Sequence, residues 1–166
     1  MADVEAALER LGLGLPAVVP PVAAYRPAVR SGDFVYVSGQ LPVVEGELAA
    51  TGKVGAEIDV DRAYELARIC ALNGLAAIGS VAELSELAGI VKVVGFVASA
   101  PGFTGQPKVV NGASELLGEV LAAAFGTEDA GHHARSAVGV AELPLGAPVE
   151  VELIAELTPK AKVRLV

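Results

Sequence analysis

The stretch Ile90-Val91-Lys92-Val93-Val94-Gly95-Phe96-Val97-Ala98 decides how this chain folds. Ile and Val, stiff at χ1 and suited to a pleated surface, make up most of it, so it reads as a buried strand. A helical pattern flanks it on each side. Upstream, Ala63, Leu66, Ala67, Cys70 and Leu75 recur at helical spacing, predicting a helix over 61–78 capped by Asp59 or Asp61. Downstream, Pro101 to Gly105 reads as a loop and Pro107 suits the first turn of a second helix. That helix carries Val110, Leu116, Leu117, Val120 and Leu121 and stops at Gly126.

Further out, strands are expected at 22–29 and 34–41, with Arg30-Ser31-Gly32-Asp33 as a hairpin loop between them. Residues 45–60, with Gly46, Gly52 and Gly55, read as a loop. Two strands close the chain at 135–141 and 149–157, joined through Leu143-Pro144-Leu145-Gly146-Ala147 as a C-terminal hairpin. The order is β-β-α-β-α-β-β, an α+β domain with two helices on one face of a mixed sheet. At the N-terminus Asp3 caps a short helix with Val4, Ala7, Leu8 and Leu11 on its apolar side, and a proline-bearing connector runs to Pro21. The expected organisation is an N-terminal extension at 1–21, one domain at 22–158 and a tail at 159–166.

Composition narrows the function classes. The 166 residues carry a formal charge of −8, which disfavours a non-specific nucleic-acid binder that must displace counterions from phosphates. Apolar residues make up 53% but aromatic ones only 4%, so the surplus is aliphatic. Small domains have little interior for their surface, and part of that surplus is expected in a subunit interface. The charge-free stretch Leu11–Tyr25 is shorter than the ~20 residues of a spanning helix. Asp3 and Glu5 near the start argue against a secretory leader. A single cysteine, Cys70, suits a reducing compartment, so a cytoplasmic protein without membrane partners is expected.

The chemistry-bearing residues are few. Nucleotide-binding, serine-hydrolase and zincin motifs do not occur. His132 and His133 are adjacent and point apart in most backbones, so no metal site is expected there. Cys70 reads as a buried, inert thiol, and Glu57, Asp59 and Asp61 as helix-start acids. Lys160, Lys162 and Arg164 read as a solvated tail. Arg135 differs, because it opens a strand of small and apolar residues where an unpaired guanidinium would be costly. Its partner is either a ligand anion or a cross-strand glutamate, since Glu150, Glu152 and Glu156 fall at alternate positions of the last strand.

The block Ala134-Arg135-Ser136-Ala137-Val138-Gly139-Val140-Ala141-Glu142-Leu143-Pro144, followed by Pro148-Val149-Glu150-Val151-Glu152-Leu153-Ile154-Ala155, resembles the signature of the RidA/YjgF family. These reactive-intermediate (enamine/imine) deaminases were formerly labelled endoribonuclease L-PSP. Tyr25 and the run Phe34-Val35-Tyr36-Val37-Ser38-Gly39-Gln40-Leu41-Pro42 resemble the family's N-terminal tyrosine and its S-G-Q-[IL]-P element. Lys108-Val109-Val110-Asn111 resembles the start of its second helix. Ala137 stands where the family often has a cysteine, and the segment between Asn111 and Arg135 is longer than the usual pattern.

The resemblance implies a chorismate-mutase-like homotrimer with clefts between subunits. It implies that Arg135 grips a substrate carboxylate and Glu150 positions the hydrolytic water. Tyr25, Ser38 and the backbone at Gly39 would shape the pocket, with Asn111 contributed by the neighbouring subunit. The activity implied is hydrolysis of an enamine or imine to a 2-keto acid and ammonia, with no metal or cofactor. Two alternatives accompany it: a trimer that only binds a small carboxylate metabolite, and a ribonuclease. The second fits poorly with a trimer carrying three times the charge of one chain.

Overall fold

A computed structural model describes residues 3–18 and 24–159. In chain order its elements are α1 (Val4–Arg10), β1 (Ala28–Ser31), β2 (Phe34–Gln40), β3 (Val43–Val44) and β4 (Glu47–Leu48). Then come α2 (Val60–Gly79), β5 (Leu87–Ala98), α3 (Gln106–Phe125), β6 (Ala134–Val140) and β7 (Val149–Leu157). The expected beginning of the first strand at Val22, the boundary between 21 and 22, and the cations Lys160, Lys162 and Arg164 lie outside the described residues.

Both long helices begin as local chemistry dictates. The Asp59 carboxylate accepts from the Arg62 N–H at 2.7 Å and caps α2, satisfying a donor that has no partner within the helix. Pro107 occupies the first turn of α3 and Gly126 ends it. Asp3 caps α1 through the Ala6 N–H. That short helix is no appendage: Val4 and Leu8 enter the common core, and Arg10 Nη2 donates to the Ala123 carbonyl of α3 at 2.8 Å.

The five-stranded sheet runs β1-β2-β7-β5-β6. The expected C-terminal hairpin therefore does not form. β7 pairs antiparallel with both β2 and β5, while β6 lies on the outer side of β5 and runs parallel to it. The reason is α3, which carries the chain back after β5, as a parallel crossover requires. The expected loop at 45–60 also contains structure. β3 and β4 form a tight hairpin whose turn residues Glu45 and Gly46 both have positive φ (52° and 88°), the hand that matches strand twist. Strands of two residues carry too little alternation to be read from sequence.

Along β7, Val149, Val151, Leu153, Ala155 and Leu157 are buried, and α2 and α3 pack over that face of the sheet. With α1 against α3, this is an α+β fold with three helices packed on a mixed sheet. The opposite face is open and partly apolar: Tyr36 is 49% exposed and Val138 44%. Among the described residues no helix is long and apolar enough to cross a membrane.

The two long helices meet at Gly112, where a Cβ would strike the backbone carbonyl oxygen of Tyr64 in α2. A backbone atom cannot swing aside as a side chain does. Gly112→Ala is expected to lower the unfolding free energy by about 1–3 kcal/mol, the usual cost of overpacking. Urea denaturation checks this: the midpoint should fall while the slope stays constant.

Candidate functional site

Arg135 lies on the edge strand β6, opposite Val93 of β5. Val93 is fully buried under the helices, so Arg135 leans to the same side and reaches α3. Its Nη1 donates to Asn111 Oδ1 at 2.7 Å and to Ser114 Oγ at 3.2 Å. Asn111 and Ser114 are three residues apart on α3 and so share one face of it. Among the described residues no acceptor takes Nε or Nη2, which leaves one whole edge of the exposed guanidinium available.

His133, two residues before Arg135, continues this cluster. Its Nδ1 is 2.8 Å from the Gly131 carbonyl oxygen and its Nε2 is 3.0 Å from Ser114 Oγ. Burial pushes the imidazole pKa below its ordinary value, and the Arg135 charge adds to that. His132 is exposed and approaches Asp129 at 3.5 Å.

Glu150 belongs to a different group. It pairs with Phe96, three positions along β5 from Val93, so its side chain points to the open face of the sheet. The Glu150 carboxylate occupies the space that a side chain on Gly39 would take, so a side chain there would have to displace it. Ser38 and Gly39 sit where the β2–β7 register shifts. The Ser38 hydroxyl donates to the Arg26 carbonyl at 2.7 Å and the Ser38 N–H to the Pro27 carbonyl at 2.9 Å. These bonds hold the segment before β1 along β2, and Tyr25 stands at its start, 51% exposed. Burial raises the Glu150 pKa above the ordinary carboxylate value, and the neighbouring charge of Glu152 adds to it.

The sequence-predicted residues thus form two half-sites: Arg135 with Asn111, and Glu150 with Gly39, Ser38 and the approach of Tyr25. In one protomer their principal members lie on opposite faces and two strands apart, at a Cα separation of about 14 Å from standard strand spacings. Two expectations change accordingly. A cross-strand Arg135–Glu pair is excluded, because β5 separates β6 from β7. Asn111 does not come from the subunit neighbouring Arg135's own, since the two side chains are hydrogen-bonded within one chain. Cys70 is buried, its Sγ 3.8 Å from the Val149 carbonyl oxygen, and burial drives its pKa well up, so the thiol is inert as expected. Ser114 and His133 were not legible as site residues. The spacing from Asn111 to Ser114 was a usable signal, but it acquires meaning only once β6 is known to lie beside α3.

The endoribonuclease L-PSP family model matches residues 16–157. Protein TCP17 of Trypanosoma cruzi is 44% identical over 155 residues, spanning 93% of this chain and 94% of that protein. The crystal structure of protein Atu1372 from Agrobacterium tumefaciens is 43% identical, with a TM-score of 0.82 over 93% of this chain and 92% of that one. The YjgF gene product of Escherichia coli is 29% identical, with a TM-score of 0.57 over 86% of this chain and 96% of that one. The chain follows Atu1372 more closely than YjgF, in keeping with a divergent branch. Fold, sequence and relatives agree that this chain belongs to the endoribonuclease L-PSP family, which is the YjgF/RidA family.

Proposed function

We propose that this protein hydrolyses reactive enamines and imines derived from amino acids, in clefts between the subunits of a homotrimer. The observation that carries the reading is the state of Arg135. One nitrogen is tethered to α3 and the Nε–Nη2 edge is presented to solvent, the geometry that grips a carboxylate through two parallel hydrogen bonds. A 2-aminoacrylate-like substrate carries such a carboxylate. Protonation at its terminal carbon by solvent converts the enamine to an iminium ion. Water then adds to the C=N carbon while a carboxylate takes a proton from it. The resulting carbinolamine transfers a proton to nitrogen, its C–N bond breaks, and a 2-keto acid and ammonia leave. Glu150, made more basic by its half-buried setting, suits the water-positioning role.

The wide separation of Arg135 and Glu150 within one chain favours a composite cleft, in which Arg135 faces Glu150 of the partner subunit. The partly apolar open face supports self-association in the same way. That separation also favours a second reading, a trimer that binds a small carboxylate metabolite without turning it over. A ribonuclease is disfavoured by the charge of −8. The proposed location is the cytoplasm, which the lone buried thiol suits.

Light scattering at micromolar concentration should return a trimer mass; a monomer would remove the composite cleft. The activity itself is tested by coupling to a dehydratase that releases 2-aminoacrylate and following imine loss with and without the protein. Arg135→Ala is expected to lose about 30- to 4,000-fold in affinity for 2-oxobutanoate, the scale for truncating one partner of a hydrogen-bonded charge pair. Melting temperature lowered with binding intact would make the residue structural instead.

Glu150→Gln separates the two readings. For an enzyme, turnover should fall by about 10²–10⁴-fold with little change in ligand affinity. The same variant has an expected stability signature. A carboxyl whose folded pKa lies above its unfolded value costs stability as it ionises, a cost that begins above the unfolded pKa and is complete above the folded one. Glu150→Gln should therefore resist urea better than the wild type at pH 7, with the difference vanishing as pH falls to the unfolded value.

A further inference from the structure

Ser114 and His133 have no part in the chemistry proposed above, yet their hydrogen bonds run in one direction only. The Gly131 carbonyl oxygen can only accept, so His133 Nδ1 carries the proton and Nε2 keeps its lone pair. The Ser114 hydroxyl has one hydrogen to give, and Arg135 Nη1 has only donors. The hydroxyl therefore donates to His133 Nε2 at 3.0 Å and accepts from Arg135 Nη1 at 3.2 Å. A directed chain results, from Arg135 through Ser114 to His133 and on to the backbone at Gly131. Asn111 Oδ1 holds the same Nη1 from one turn earlier on α3.

We infer that Ser114 and His133 are positioning residues for ligand binding: His133 orients the Ser114 hydroxyl, which with Asn111 locks the Arg135 guanidinium and aims its Nε–Nη2 edge at the ligand carboxylate. This rests on the reading that Arg135 holds the carboxylate. An arginine has many rotamers, and ordering one before the ligand arrives removes a cost that binding would otherwise carry. The relay requires a neutral imidazole with a free Nε2 lone pair. Half-burial, the Arg135 cation on β6 and the adjacent His132 favour that form and outweigh the opposing pull of the Gly131 carbonyl bond. The nearby carboxylates of α3 are engaged elsewhere, Glu115 with the Tyr64 hydroxyl and Glu119 with Arg68, and Asp129 faces His132.

The test is calorimetric titration of 2-oxobutanoate into the full chain at pH 8, where His133 is neutral and any loss cannot be one of charge. Ser114→Ala and His133→Phe should each weaken binding about 3- to 10-fold, the scale of one net hydrogen bond. His133→Gln, whose amide oxygen can take the Ser114 hydroxyl hydrogen, should stay within about twofold of wild type. The double variant Ser114→Ala/His133→Phe should bind no worse than either single one, because both break the same chain. A merely structural histidine would give a different pattern, with Gln and Phe both lowering the melting temperature and neither changing affinity. Wild-type affinity in both single variants, or additive losses in the double one, overturns the inference. If Arg135→Ala abolishes binding in that same experiment, the carboxylate reading survives that failure. If Arg135→Ala binds like the wild type, or the wild type itself binds no 2-oxobutanoate, the carboxylate reading falls and the inference with it.

Discussion

The insertion of β7 between β2 and β5 is the constraint on which the rest depends. Five alternate residues of that strand, Val149 through Leu157, face the helices and are buried, so β7 is the spine of the core. A one-residue slip would turn these five toward solvent and bury Glu150, Glu152 and Glu156 under α2 and α3. Burying three unpaired carboxylates would cost far more than any local pairing could return. The register is therefore strongly specified, and with it the face on which Glu150 appears. The same insertion pushes β6 to the sheet edge, where its backbone is paired on one side only and Arg135 can reach both α3 and solvent.

Much of this was legible in the sequence because the signals are local. The cap at Asp59, the proline in the first turn of α3, and the apolar spacing of both helices each act within a few residues. The strand at 149–157 was legible for the same reason, its alternation running its full length. Strand order is not local. Adjacent strands joined by a short connection usually pair, and the segment between β6 and β7 carries a turn that would suit a hairpin. Whether β5 enters between them depends on the path of α3 and on the competition of two antiparallel ladders for β7, which no window of sequence contains. That same gap hides the division of the site residues into two half-sites within one chain. Residues assigned to one cleft lie on two faces, and a residue assigned to a neighbouring subunit sits beside Arg135 in the same chain.

The half-sites also differ in how completely they are satisfied. Around Arg135, Asn111 Oδ1, the Ser114 hydroxyl and both ring nitrogens of His133 are engaged, and the guanidinium is held at one end. Around Glu150 there is a gap for the carboxylate and a second carboxylate nearby, but no cation bonded to it among the described residues. A half-buried acid left in that state raises its own pKa rather than finding a partner. Such a group is a poor structural element and a better proton acceptor than an ordinary carboxylate.

The open face of the sheet combines this half-buried acid with apolar side chains, Tyr36 on β2 and Val138 on β6, that are about half exposed in the single chain. Covering the apolar residues with water-excluding protein would raise the cost of ionising Glu150 further, unless the covering surface brought positive charge. Arg135 is the cation best prepared for that task, being already aimed outward from an edge strand with one side free. Apolar burial and charge compensation thus favour the same event, the docking of one copy's β6 edge near another copy's open face. On the proposed reading the ligand carboxylate is what keeps the two charges from simply neutralising each other: it occupies the guanidinium and leaves Glu150 free to act on water.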